Sequence, residues 1–319
     1  MQVYPYNISP RIKVGLGRIR ILRQRILAEI ISREEESQLK WNARLSNIYW
    51  SLAIAGSKLT RRELADLVRQ ESYRKELSED EREAINYKNT LDYINESWYV
   101  NPKLVSPTTV LALYTLACQP DLKNVPAKFI ARQNQIKLFL DYLQAGNENP
   151  IVQAGIAQAS LRIISPFDNF NGKVSRLLGQ LFLYKFGYNF RGMLVTDEYW
   201  MKDLNSYRQA IRSASVNQNL TIWLEYYIAA LVDQLEKAVE LMRSPIAAHG
   251  VSKIYFELNE RQKAIMTILD NPEAKITNRE VQREFMVSQI TASRDMAKLT
   301  NLSLVSSRGK GRSVYYVKV

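Results

Sequence analysis

At 319 residues, with a net charge of +12 and a pI near 9.6, the chain is long enough for about two domains and is biased toward polyanionic partners. It has no run of about 18 apolar residues and no apolar leader, so neither a membrane span nor a signal peptide is expected. A single cysteine, Cys118, and a single histidine, His249, argue against a disulfide framework and a transition-metal centre, and point to a reducing, cytoplasmic setting.

Helical periodicity dominates residues 17–245. Ile19, Leu22, Ile26, Leu27 and Ile30 recur at three- and four-residue steps and predict one apolar helix face. The seven basic residues between Arg11 and Arg33 are expected on its solvated side. Similar stripes at 45–55, 61–68, 80–94, 107–117, 136–143, 152–163, 173–186 and 220–241 predict further helices. Thr60 with Glu63 three residues on forms a capping box, and Ser106-Pro107 is a helix start with proline at the first turn. Cys118 ends an apolar run and is read as a core residue. The helix of the 136–143 stripe is expected to start at Ile136, after a shortened segment over 128–135. Residues 246–258, which carry His249, are expected to be a linker.

The chain changes character after the linker. Residues 259–269 predict a helix with Ala264, Ile265, Ile268 and Leu269 inward, closed by Asn271-Pro272. Thr277 and Glu280 make a second capping box that opens a short helix. Ser288 caps a third helix, Gln289–Asn301, with Ile290, Met296 and Leu299 expected inward. A basic turn, Arg308-Gly309-Lys310-Gly311-Arg312, then joins two strand-like runs into a hairpin. Three helices and a basic hairpin are the outline of a winged helix. In such a module Gln289, Thr291, Ser293, Arg294 and Lys298 would meet a major groove, and Arg308, Lys310 and Arg312 would meet phosphates or a minor groove. Protein contact or dimerisation is the other use open to it.

Between two apolar helices lies Ser165-Pro166-Phe167-Asp168-Asn169-Phe170-Asn171-Gly172-Lys173-Val174-Ser175-Arg176. This segment resembles the Fic signature, His-Pro-Phe-x-(Asp/Glu)-Gly-Asn-Gly-(Arg/Lys)-x-x-Arg. Its flanks resemble the family too, as does Ser51-Leu52-Ala53-Ile54-Ala55-Gly56, which is similar to the inhibitory helix pattern Ser-x-x-x-Glu-(Gly/Asn). The resemblance covers residues 40–245. It implies a mainly α protein: a Fic-like helical domain over 1–245, with its core at 90–245, followed by the linker and a winged helix-turn-helix domain over 259–319.

The family's activity, as the resemblance implies, is AMP transfer to protein hydroxyls. Its leading histidine is the general base, and Ser165 stands there; a hydroxyl is no base near neutral pH. Its acidic residue holds magnesium, and Asn169 stands there beside Asp168, a poorer set for a hard cation. Phe170 replaces a glycine that lets backbone amides approach phosphates. Asn171, Gly172, Lys173 and Arg176 remain, with two readings open: a structural one, in which Asn171 and Gly172 open the next helix and Arg176 pairs with an internal carboxylate or carbonyl, and a nucleotide- or anion-binding remnant; Ala55 replaces the inhibitory glutamate. No catalytic residue, no metal and no cofactor are therefore expected, with ATP and magnesium bound weakly at best. The expected function is a catalytically inert regulator that binds double-stranded DNA, its helical domain sensing a ligand, holding a homodimer or meeting a protein partner. Two alternatives are an adenylyltransferase-like enzyme of altered chemistry and a non-enzymatic partner of an active Fic protein.

Overall fold

A computed structural model of the chain describes residues 5–69, 77–99, 103–118, 122–146, 148–243, 258–269, 274–302, 304–309 and 314–318. His249, Lys310, Arg312 and all of the expected linker except Leu258 lie outside them. The chain divides into two compact units, Met1–Arg243 and Ser244–Val319. Among the described residues, no helix is long and apolar enough to cross a membrane.

The first unit is helical throughout its described elements. In order these are α1 (Pro10–Ala28), α2 (Arg33–Ala55), α3 (Arg61–Arg69), α4 (Glu79–Ile94, continued by a π turn, Asn95–Tyr99), α5 (Pro107–Cys118), α6 (Ala127–Ala145), α7 (Pro150–Ile164), α8 (Asn171–Lys185), α9 (Thr196–Lys202), α10 (Leu204–Val216) and α11 (Thr221–Arg243). Side-chain caps start many of them. Ser32 and Ser78 form capping boxes with Glu35 and Glu81, and Thr60 pairs with Glu63 as expected.

The α7–α8 pair is the centre of this unit. Residues 151–161 of α7 and 173–179 of α8 are buried without a solvent face, which makes them interior rather than amphipathic helices. Small residues permit their close approach: a Cβ on Gly179 would stand 3.1 Å from Gln158 Oε1 and 3.3 Å from the Ala154 carbonyl. On its other side α7 meets α11, where a Cβ on Gly155 would stand 2.8 Å from Leu224. Trp223 Nε1 donates to the Gly155 carbonyl at 2.8 Å, so the indole is satisfied inside the core. The α7–α8 junction therefore projects a short loop from a rigid base.

Two expectations fail in this unit. Leu27 and Ile30 are exposed, the latter 96%, because α1 ends at Ala28 and its inward stripe runs Ile12, Ile19, Leu22 and Ile26 instead. The segment 128–135 is helical, since α6 begins at Ala127. The basic residues of 11–33 are solvated as expected: Arg11, Lys13, Arg18, Arg20, Arg25 and Arg33 are exposed and Arg23 is half-buried. Arg11 and Arg18 pair with Glu225 and Glu236 of α11, and Arg23 donates to the Gly187 carbonyl while lying over Tyr188. Cys118 is half-buried, and burial pushes its thiol up to about 12, in keeping with an unreactive core position.

The second unit comprises α12 (Glu260–Ile268), α13 (Asn278–Glu284), α14 (Gln289–Asn301) and an antiparallel hairpin of β1 (Val305–Arg308) and β2 (Tyr315–Lys318). Backbone bonds between Ile276 and Tyr316, at 2.7 and 2.9 Å, add the stretch before α13 to the hairpin edge. Ile265, Leu269, Val281, Ala292, Met296 and Leu299 fill a separate small core. Two expected core residues point outward: Ile268 is 41% and Ile290 is 65% exposed. Met266 takes the inward position on α12. Ile290 lies one turn before Arg294 on the outer face of α14, where the helix carries no neighbour among the described residues of the core cluster.

Candidate functional site

Ser165 ends α7 and Phe170 precedes α8, and both hold left-handed backbone, at φ 47° and 65°. Residues with a Cβ occupy that region at a cost of about 1–3 kcal/mol each. A glycine would adopt it freely. The loop thus keeps a glycine-like turn at 170 although the side chain there is phenyl.

Between these two residues the loop is fastened inward. Phe167 is fully buried and stacks on Tyr114 at 3.9 Å and Phe129 at 5.5 Å between centroids. Asn171 brackets it: the Asn171 carboxamide accepts from Phe167 N at 2.9 Å and donates to Phe167 O at 2.7 Å. Lys128 also donates to that carbonyl at 3.0 Å and lies 3.9 Å from exposed Asp168. Ser165 donates its hydroxyl to the Arg162 carbonyl at 2.7 Å and accepts from Arg162 Nη1 at 3.3 Å.

The two cations of the motif are also engaged. Lys173, 2% exposed at its side chain, touches the Glu83 carboxylate of α4 and lies beneath the Phe170 ring, 5.2 Å from its centroid. Burial, with the Arg176 guanidinium adding to it, pushes the Lys173 ammonium down to about 7, while Asp80 pulls the other way. Arg176 donates through Nε to Asp197 at 3.0 Å and through Nη2 to the Ser51 hydroxyl and carbonyl at 2.9 and 3.2 Å. Burial opposes its charge, yet Asp197, helped by Tyr207 and Tyr87, more than compensates and raises it above the ordinary arginine value. Ser51, Ala55 and Gly56 thus play separate parts. Ser51 anchors Arg176, Ala55 lines the space above the loop, and Gly56 (φ 98°) ends α2 in left-handed backbone.

Above the loop opens a cavity of about 900 Å³, bordered by α2, α7, the start of α8 and α10. Its walls hold Ser165, Asn169, Phe170, Gly172, Lys173 and Arg176 from the motif, so the structure gathers the remnant residues around one space. Arg162, Arg208 and Arg212 complete the lining, and sequence reasoning passed over all three. The four-residue spacing of Arg208 and Arg212 places them on one helix face, but nothing local says that this face borders a cavity. Glu83 and Asp197, the acids that hold Lys173 and Arg176, were equally invisible.

On the second unit, Gln289, Arg294 and Lys298 are exposed along α14, and Thr291 and Ser293 are half-buried. Thr291 Oγ1 lies 3.0 Å from the Ser288 hydroxyl, and Ser293 Oγ accepts from Asn278 at 3.4 Å. Arg308, at the end of β1, is exposed. Asp295 faces inward next to outward Arg294, and accepts from Arg261 Nε at 2.5 Å and Gln262 Nε2 at 2.7 Å.

No protein-family model matches the chain, and no curated protein matches it in sequence. Solved structures do resemble it. A Fic family protein from Desulfovibrio desulfuricans G20 aligns with a TM-score of 0.64 at 16% identity, over 100% of this chain and 98% of its own. Fic-1 from C. elegans gives 0.56 at 16% identity over 71% of each chain. A Fic domain containing signaling protein from Bacteroides thetaiotaomicron VPI-5482 gives 0.56 at 18%, over 73% of this chain and 98% of its own. The fold is that of Fic family proteins, mainly α as expected.

Proposed function

We propose that this chain is a Fic-fold protein that has lost AMP transfer and regulates transcription by binding DNA through its second unit, read as a winged helix. The observation that carries this reading is the outer face of α14. It presents Gln289, Arg294 and Lys298 to solvent, with no acidic residue on that face, above a core of its own. A helix capped by Ser288 and exposed along one side has the dimensions to lie in a major groove. Arg308 begins the basic turn that would track phosphates. Ile290, outward rather than buried, adds an apolar group suited to a thymine methyl.

Loss of transfer chemistry rests on the loop. A serine tied to the Arg162 carbonyl stands where the resemblance places a base, and both motif cations hold internal acids. A gel-shift series against a promoter library at several salt concentrations tests the DNA reading. A tight site should weaken steeply with salt. Arg294→Ala should cost it about 1–3 kcal/mol and relax its specificity, whereas Lys310→Ala should weaken all sequences alike. Absence of any site above non-specific background sinks the reading.

One observation favours the enzyme alternative. Lys173 is a cavity-lining group whose ammonium burial pushes down from its ordinary value to about 7. Phe170 and Glu83 cover it, which supports the inert reading instead. Incubation with labelled nucleotides and cell lysate is expected to give no protein labelling; labelling abolished by Lys173→Met would reverse the ranking.

A further inference from the structure

A second cavity, of about 390 Å³, lies beside the C-terminal half of α8, at the other end of that helix from the motif loop. It shares no lining residue with the cavity above that loop. Four stretches of chain border it: α2, the end of α4 with its π turn, α8, and the connection from α8 to α9. Two of these depart from regular backbone at the cavity. The π turn sets Asn95 and Tyr99, both exposed, on the wall, and single π turns extending α-helices are frequent at functional sites. In the connection, Phe190 and Arg191 hold successive left-handed conformations, at φ 48° and 55°, which the surrounding structure has to impose. Glu36 and the Ile26 and Glu29 carbonyls fix Arg191 there, and the turn brings Asn189 to the wall.

The charges of this lining are already matched. Arg44 pairs with Asp92, while Lys40 and Arg191 both pair with Glu36. What remains is a set of neutral hydrogen-bonding groups on different sides of the space. Asn47 uses only its Nδ2, on the Leu194 carbonyl, and Asn189 only its Oδ1, on the Arg191 amide. Gln180 hydrogen-bonds the Tyr184 hydroxyl. Arg44 Nε is buried and has no acceptor among the described residues. A charged ligand would have to break one of the ion pairs, and a planar heterocycle carries its donors and acceptors along its edges. A polyol fits this lining better, because every hydroxyl both donates and accepts and its hydroxyls surround the ring. The Tyr99 ring, 45% exposed, adds an apolar face at the solvent edge. A volume of about 390 Å³ is at the small end of ligand sites.

We propose that this cavity binds an uncharged polyhydroxy compound the size of a single sugar ring, held by the Asn47, Asn95, Gln180 and Asn189 carboxamides and by Arg44 Nε. Arg44 Nε gains most from the ligand, since a buried donor without an acceptor is costly and a ligand hydroxyl supplies one. The site lies within the first unit. It is independent of the DNA-binding reading, and its test contains no DNA.

Calorimetric titration of the full chain with glucose, galactose, ribose and myo-inositol tests it, alongside glucose phosphate and adenosine. At least one of the four uncharged polyols should saturate a single site. Its affinity should not change with added salt, because no charge is exchanged on binding. Asn95→Ala and Gln180→Ala should each weaken it about tenfold, the equivalent of one lost hydrogen bond. Asn95 is exposed, so N95A should keep the melting temperature of the unsubstituted chain and carries the test even where Q180A is less stable. Saturation by none of the four polyols overturns the proposal. Binding confined to glucose phosphate or adenosine, or polyol binding undiminished in N95A, overturns it as well.

Discussion

Replacing Arg176 by alanine is expected to destabilise the helical unit by about 3–5 kcal/mol, the usual penalty for removing one partner of a buried ion pair. The Asp197 side chain is 5% exposed, and Ser51 is fully buried. With the guanidinium gone, a carboxylate, a hydroxyl and a carbonyl lose a donor together. Urea unfolding followed by tryptophan fluorescence measures this unit alone, because all five tryptophans of the chain lie in it. Arg176→Lys should recover part of the loss, since one ammonium cannot reach both Asp197 and Ser51 with the same geometry. A midpoint equal to that of the unsubstituted chain would mean that Arg176 is not an internal prop, and that its charge is kept for a ligand.

Asp295→Ala is expected to cost the second unit about 2–4 kcal/mol. On the proposed function, that loss should also remove DNA binding, although Asp295 lies off the proposed DNA face. Asp295 joins α14 to α12 through Arg261 and Gln262, and thereby fixes how α14 lies on its core. Burial works against this carboxylate, but the hydrogen bonds from Arg261 and Gln262 outweigh it and hold it below its ordinary value of 3.8. The sign follows: its contribution is complete above pH 3.8 and disappears as the pH falls through the lower folded value. Far-UV circular dichroism of the substituted chain should show a second, earlier transition with the tryptophan transition unmoved. Full DNA affinity in Asp295→Ala would separate α14 from this anchor and discredit the account.

The position of Asp295 beside Arg294 illustrates how much a sequence can say. The two residues are adjacent in one motif, and a helical period alone turns them to different sides. Which side is the core follows from Met296 and Leu299, and the sequence carried that correctly for them. It failed for Ile290, because an apolar residue in the first turn of a helix reaches past the core that its later neighbours fill. Ile30 failed because the periodic stripe continued in the sequence after the helix itself had ended at Ala28, and Leu27 because it lies beside, not on, the inward stripe of Ile12, Ile19, Leu22 and Ile26.

The features legible from sequence are those decided within a few residues. Capping at Thr60, Thr277 and Ser288 depends on a side chain reaching an amide three positions on, so local backbone geometry suffices. The loop at 165–176 was recognisable as a pattern of the same short range. The partners of Lys173 and Arg176 were decided elsewhere. Glu83 comes from α4, Asp197 from α9 and Ser51 from α2, and only the packing of those helices around α7 and α8 brings them within hydrogen-bonding reach. The same holds for the arginine-lined cavity, whose cations lie on α7 and α10. Charge in a sequence says how many ions there are; tertiary packing determines which are neutralised in the core and which are left facing a cavity.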